Sequence, residues 1–174
     1  PSTAVLARVQ HDMLSSRPDA MPCVQWGQHA VRRYRDELFV LPQRVSAGPR
    51  AECAWRLDRP LPLANGGMLT ATPTVGAGLC HAAISGEGVH IRWRQGGETC
   101  RPSGRTHHHA LKKLFQEAGV PPWQRDRIPL LYVEEKLAAV AGMWICEPFQ
   151  AGPREAGYRI DWVDEDPHNG CRPD

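Results

Sequence analysis

Arg92, Arg94, Arg101, Arg105, Lys112, Lys113, Arg125 and Arg127 crowd the middle of this 174-residue chain, interleaved with Trp93, Trp123 and the run His107-His108-His109. Guanidinium and ammonium groups bind phosphates, and the counterions they displace make such clusters suited to nucleic acids. Around a net charge of +2, residues 86–130 hold eight Arg or Lys against four acids, with four His besides; residues 131–174 hold four against nine. A basic middle beside an acidic tail suits an anionic partner for the middle. So small an excess is also what an ordinary wet surface carries, and composition alone leaves the two readings balanced.

Other chemistries fit less well. Consecutive residues on a helix point about 100° apart, so His107, His108 and His109 cannot converge on one metal ion. They suit a helix start capped by Thr106, where backbone N–H groups attract phosphate. Gln95-Gly96-Gly97-Glu98 lacks the Lys-Ser/Thr of a nucleotide cradle, and Glu98 would repel phosphate, so a tight turn explains it better. Val120-Pro121-Pro122-Trp123 reads as a packed rigid corner. No Gly-x-Ser-x-Gly, no His-Glu-x-x-His and no Cys/His dyad stands out. Cys23, Cys53, Cys80, Cys100, Cys146 and Cys171 are dispersed, with no zinc-type C-x₂-C pair. Such cysteines are more often buried apolar residues than disulfides, which points to a reduced, cytoplasmic protein. No complete active site and no metal site is expected.

The elements that must hold these residues are short, since Pro and Gly supply 16 residues each. With 41% apolar and 23% charged residues the chain reads as globular and long enough for a core. It contains neither a membrane-length apolar run nor a signal-peptide pattern. Val5, Leu6, Val9 and Met13 fall at helical spacing, opening the chain as if severed from something upstream. Residues 30–35 and 38–41 read as a hairpin around Asp36-Glu37, and residues 42–51 as a loop. Short strands over 54–57 and 68–72 flank an Asn65-Gly66-Gly67 turn. Residues 89–94 alternate as a strand. The spacing of Leu111, Leu114, Phe115 and Ala118 predicts a helix over 107–118, stopped by Gly119. Residues 129–133 and 136–146 read as further strands, the second central. Beyond Pro148 an acidic, loose tail is expected. The pattern is α+β. Three parts are expected: 1–75, 76–150 and a tail over 151–174.

Taken together, the Val89–Glu98 strand and turn (Val-His-Ile-Arg-Trp-Arg-Gln-Gly-Gly-Glu), the Leu111–Trp123 helix and corner (Leu-Lys-Lys-Leu-Phe through Pro-Pro-Trp), and Arg125-Asp126-Arg127-Ile128-Pro129-Leu130-Leu131-Tyr132 resemble the C-terminal domain of tRNA(Ile)-lysidine synthetases. Residues 137–146 extend the likeness, which covers about sixty residues; the 3–16 helix and the Val31–Tyr34 hairpin resemble, less specifically, the end of that family's central substrate-binding domain. The resemblance implies a small β-sandwich with a packed helix, like a domain of the phenylalanine tRNA ligase β-subunit, preceded by a helix-plus-hairpin remnant. It implies an enzyme that adenylates the wobble cytidine of the CAU-anticodon isoleucine tRNA and joins L-lysine to it, with ATP and Mg held by an N-terminal domain. That domain's Ser-Gly-Gly-x-Asp-Ser loop is absent here, so no catalytic residue carries over and this piece alone is expected to be inactive. Its expected role is tRNA binding, through Arg94, Arg105, Lys112, Lys113, Arg125 and Arg127. The alternatives are a stand-alone RNA-binding module and a purely structural domain, and the sequence leaves a homodimer open.

Overall fold

In the computed structural model, the described residues are 2–17, 20–42, 51–64, 66–84, 86 and 88–164. They form two compact units, divided at Gly48/Pro49. The expected boundary at 75/76 instead falls at the end of a strand inside the second unit, because the strands before it belong to that unit's sheets.

In the first unit, helix α1 (Thr3–Leu14) is followed by β1 (Cys23–Trp26), β2 (His29–Tyr34) and β3 (Glu37–Pro42), an antiparallel sheet in that order. Ser2 caps α1, its side chain accepting from the Val5 N–H at 3.4 Å. The apolar stripe of α1 buries Met13 against Val24 and Val31, while Leu6, counted on that stripe in the sequence, is exposed. The Arg33 guanidinium donates to the carbonyls of Met13, Ser16 (3.0 Å) and Arg17 (2.6 Å). Of these the Met13 carbonyl belongs to the last turn of α1, where a cation satisfies an orphan acceptor and opposes the negative dipole end. The hairpin turns at Arg35-Asp36, with Arg35 in the left-handed region at φ 56°. Residues 43–50, most of the expected loop, lie outside the described residues.

The second unit has β4 (Cys53–Trp55), β5 (Leu61–Pro62), β6 (Met68–Val75), β7 (Leu79–Cys80), β8 (Val89–Arg92), β9 (Thr99–Cys100), β10 (His109–Ala110), α2 (Leu111–Glu117), α3 (Pro122–Arg125), β11 (Leu130–Val133), β12 (Lys136–Val140), β13 (Trp144–Ile145) and β14 (Ala156–Val163). One antiparallel sheet runs β13-β12-β11-β8-β4, a second β5-β6-β14-β7, and β9 pairs with β10. Period-two alternation gives the five-stranded sheet two apolar faces. Val89, Ile91, Leu131 and Ala139 face Leu69, Leu79 and Ile160 of the four-stranded sheet. On the opposite face Leu130 and Val140 meet Leu111, Leu114 and Phe115 of α2. The layers are sheet, sheet, helix. No described helix is long and apolar enough to cross a membrane.

Several expectations change. The helix starts at Leu111, not His107: His109 and Ala110 pair with Cys100 and Thr99, and the Leu111 N–H donates to the Glu98 carbonyl at 2.8 Å. Ala110, not Thr106, is the N-cap. The strand expected over 136–146 breaks at Ala141–Met143, where Gly142 takes φ 69° and the Met143 N–H bonds back to Val140. The Gly66-Gly67 turn joins β5 to β6, with Asn65 outside the described residues. Of the expected tail, Ala156–Val163 is a strand paired along its whole length with Met68–Val75, and residues 165–174 lie outside the described set. Gly157 permits that pairing: a Cβ there would sit 2.3 Å from the Ala77 carbonyl. Cys100 and Cys146 are joined as a disulfide with Cα atoms 5.6 Å apart, against the expectation that all six cysteines are reduced. Cys23, Cys53 and Cys80 are free, burial pushes the Cys53 thiol up, and Cys171 lies outside the described residues.

Candidate nucleic-acid interface

Helix α2 sets the site. Its Leu111, Leu114 and Phe115 are locked into the core, which turns Lys112 and Lys113 outward by helical geometry. Both lysines are exposed, and neither has a carboxylate partner among the described residues. The Phe115 ring packs on Trp144 at 5.6 Å, so the helix cannot roll to hide them.

The other four expected binders are placed differently. Arg94 pairs with Asp126 at 2.9 Å and lies 3.9 Å from Glu98. Arg105 pairs with Glu117 at 2.8 Å. The Arg127 guanidinium meets both carboxylate oxygens of Asp164, at 2.7 and 3.0 Å. Arg125 is only 5% exposed, and its Nε donates to the Val120 carbonyl at 2.8 Å. Each cation that already holds a carboxylate or carbonyl gains less from a phosphate. The structure therefore brings Lys112 and Lys113 together and uses the arginines to tie segments of the fold.

Arg92, which the sequence places in the basic stretch without singling it out, is a second hub. Its guanidinium forks onto Glu135 at 2.7 and 2.8 Å, reaches Glu52 at 3.2 Å and lies over the Tyr132 ring at 4.9 Å. Hydrogen bonding and then the charge of Arg92 hold the Glu135 carboxyl below its usual range. Burial, and next the Glu98 charge, push the Tyr132 phenol up.

The Gly96-Gly97 turn does not suit a nucleotide's phosphates. Glu98 Oε1 accepts from the backbone N–H groups of Gln95 (2.5 Å) and Gly96 (2.9 Å), so the donors that would cradle an anion already hold a carboxylate. Nor does α2 offer an N-terminal anion site, since its first N–H is spent on Glu98. Beside it a cavity of about 570 Å³ is lined by Arg101 and Lys136 but also by Glu98, Glu135 and Glu147. That acid balance disfavours phosphate. His107 and His108 are exposed, and no cluster of three or more His, Cys, Asp or Glu among the described residues could hold a metal.

Residues 89–162 match the family described as the TilS substrate C-terminal domain, and residues 1–39 the TilS substrate binding domain. The chain is 34% identical to a tRNA(Ile)-lysidine synthase of Methylococcus capsulatus over 94% of its own length, 36% to one of Coxiella burnetii over 92%, and 38% to one of Serratia proteamaculans over 93%. It spans only 37%, 36% and 36% of those relatives. A crystal structure of a TilS C-terminal domain superposes with a TM-score of 0.55 at 21% identity, over 68% of this chain and 99% of that one. At that identity the likeness speaks for the fold alone.

Proposed function

We propose, from the TilS domain matched in each of its two units, that this chain is the tRNA-binding portion of an ATP-dependent tRNA(Ile)-lysidine ligase. The observation that carries this reading is the Lys112-Lys113 pair, displayed without carboxylate partners among the described residues on a helix whose other face is fixed in the core, inside the segment matched to the TilS C-terminal domain. Two such ammonium groups suit adjacent phosphates of an RNA backbone, which gives affinity and register but not base choice.

In the whole enzyme, L-lysine is joined to the wobble cytidine of the CAU-anticodon isoleucine tRNA, in the cytoplasm, with ATP and Mg bound by a different domain. The Gly96-Gly97 turn does not suit ATP, because its backbone donors already hold the Glu98 carboxylate. Its contribution is to hold tRNA while chemistry proceeds elsewhere. The sandwich-plus-helix unit is read as kin to the domain of the phenylalanine tRNA ligase β-subunit. Arg94, Arg105 and Arg127 contribute at most by swapping a carboxylate for a phosphate, and Arg125 not at all.

The test is binding of an isoleucine tRNA transcript across a salt series. Each phosphate contact adds roughly 0.9 to the slope of log affinity against log salt, so K112Q/K113Q should flatten it by about two. All tRNAs should weaken alike, with thermal stability unchanged. An unchanged slope would remove α2 from the interface.

A further inference from the structure

At the far edge of the five-stranded sheet, Arg56 and Arg59 are exposed and hold no carboxylate among the described residues. They line a cavity of about 530 Å³ together with Ala54, Trp55, Asp58 and His90. That volume is on the scale of small-molecule and nucleotide sites, roughly 300–1,000 Å³.

The loop that displays them is unusually constrained. Leu57 is buried and sits in the left-handed region at φ 65°, a conformation that a branched side chain rarely takes. The Trp55 indole N–H donates to the Arg59 carbonyl at 2.8 Å, closing the loop on itself. Beneath it Gly88 (φ 86°) lets the chain pass where a Cβ would lie 2.3 Å from the Trp55 carbonyl. Strained backbone persists only where the surroundings over-determine it, and it gathers at ligand clamps. Here the constraint fixes the backbone that carries both cavity-lining arginines, when a relaxed loop would serve to connect β4 to β5.

The floor faces the right way. Ala54 and His90 are cross-strand partners, as are His90 and Tyr132, so all three point to the same side of the sheet. That is the side on which α2 packs farther along, over Leu130 and Val140. From β12 to β4 is three strand spacings, roughly 15 Å. Lysines on α2 and arginines beyond β4 thus lie toward the two sides of a half-buried strip bearing His90, Arg92 and Tyr132, in which Arg92 already holds Glu52 and Glu135.

We propose that this cleft is a second backbone-phosphate subsite for RNA, in which Arg56 and Arg59 hold a phosphodiester and Ala54 with His90 forms the floor beneath the attached nucleoside. Asp58, the acid among the described lining residues, accepts from a ribose 2′-hydroxyl, which favours RNA over a bare anion. The inference rests on the tRNA-binding reading above and adds a site that the basic stretch of the sequence does not contain.

The experiment measures tRNA binding by the 174-residue chain at several salt concentrations, with thermal melts, for the wild type, R56Q/R59Q, R56K/R59K and K112Q/K113Q. R56Q/R59Q is expected to flatten the salt slope by between one and two at unchanged melting temperature, and R56K/R59K to restore most of it. A slope that stays at the wild-type value in R56Q/R59Q while K112Q/K113Q flattens it overturns the cleft and leaves the α2 reading standing; the cleft then suits an acidic protein surface instead. A slope that falls only together with the melting temperature also overturns it, making the loop structural. A wild-type chain that does not bind tRNA removes both.

Discussion

Arg125 illustrates how far a side chain's role departs from its type. At 5% exposure its guanidinium donates to the Val120 carbonyl and so fixes the corner between α2 and α3. Replacing it by Met should leave that buried acceptor unmatched and cost about 1–3 kcal/mol, read by chemical denaturation, with the tRNA salt slope untouched. A flattened slope without destabilisation would return Arg125 to the interface. Glu135 offers a test by pH. Its folded value is depressed by Arg92, so its stabilisation is present above the unfolded carboxylate value, about 4.3, and is lost as pH falls through the lower folded value. In an NMR titration Glu135 should titrate below an ordinary glutamate, and R92Q should move it back up. A Glu135 that titrates normally in the wild type would contradict the pairing. The cations of the site were legible in the sequence, but their occupation was not. Asp164, which claims Arg127, lies 37 residues away, and Glu135, which claims Arg92, lies 43 away. Nothing local announces such partners.

At the scale of elements, the strands Val89–Arg92 and Leu130–Val133 could be read directly, the first because its alternation coincides with burial of one residue in two, the second because it is a short apolar run buried on both faces. The start of α2 could not. Helical periodicity is continuous through the histidines, and what stops the helix is tertiary: the β9–β10 pairing and the Leu111 bond to Glu98. β14 was hidden for another reason. Its outward residues include Arg159 and Asp161, which pair with each other at 2.9 Å, and charged alternation looks like solvated tail until a partner strand is known. Its tightest point is Gly157, where a methyl group would meet the Ala77 carbonyl at 2.3 Å and the Ala151 side chain at 3.0 Å. G157A should therefore cost about 1–3 kcal/mol in a urea unfolding curve, whereas A156G, at an exposed position, should cost far less. Equal losses would mean that the close approach is not what selects glycine.

For the molecule as a whole, the Cys100–Cys146 bridge spans 46 residues and encloses β10, α2, α3, β11, β12 and β13. Both sulfurs are nearly inaccessible, at 1% and 2% residue exposure. Closing a loop of that length typically adds about 2–4 kcal/mol to stability. C100S/C146S should lower the melting temperature correspondingly, and the oxidised chain should resist alkylation at these two positions until unfolded. Ready alkylation of both in the native chain would show them to be reduced thiols.

The position of β14 in its sheet also bears on how the chain is made. In the order β5-β6-β14-β7, the strand reached last along the sequence sits between two strands synthesised some 80 residues before it. On the ribosome, β6 and β7 emerge with their facing edges unmatched, and they stay so until residues 156–163 clear the exit tunnel. Unpaired edges invite pairing with other chains, and contacts so distant in sequence close slowly. Nascent chains arrested before Ala156 should accordingly be protease-sensitive and recruit holding chaperones, and those arrested well beyond Val163 should not.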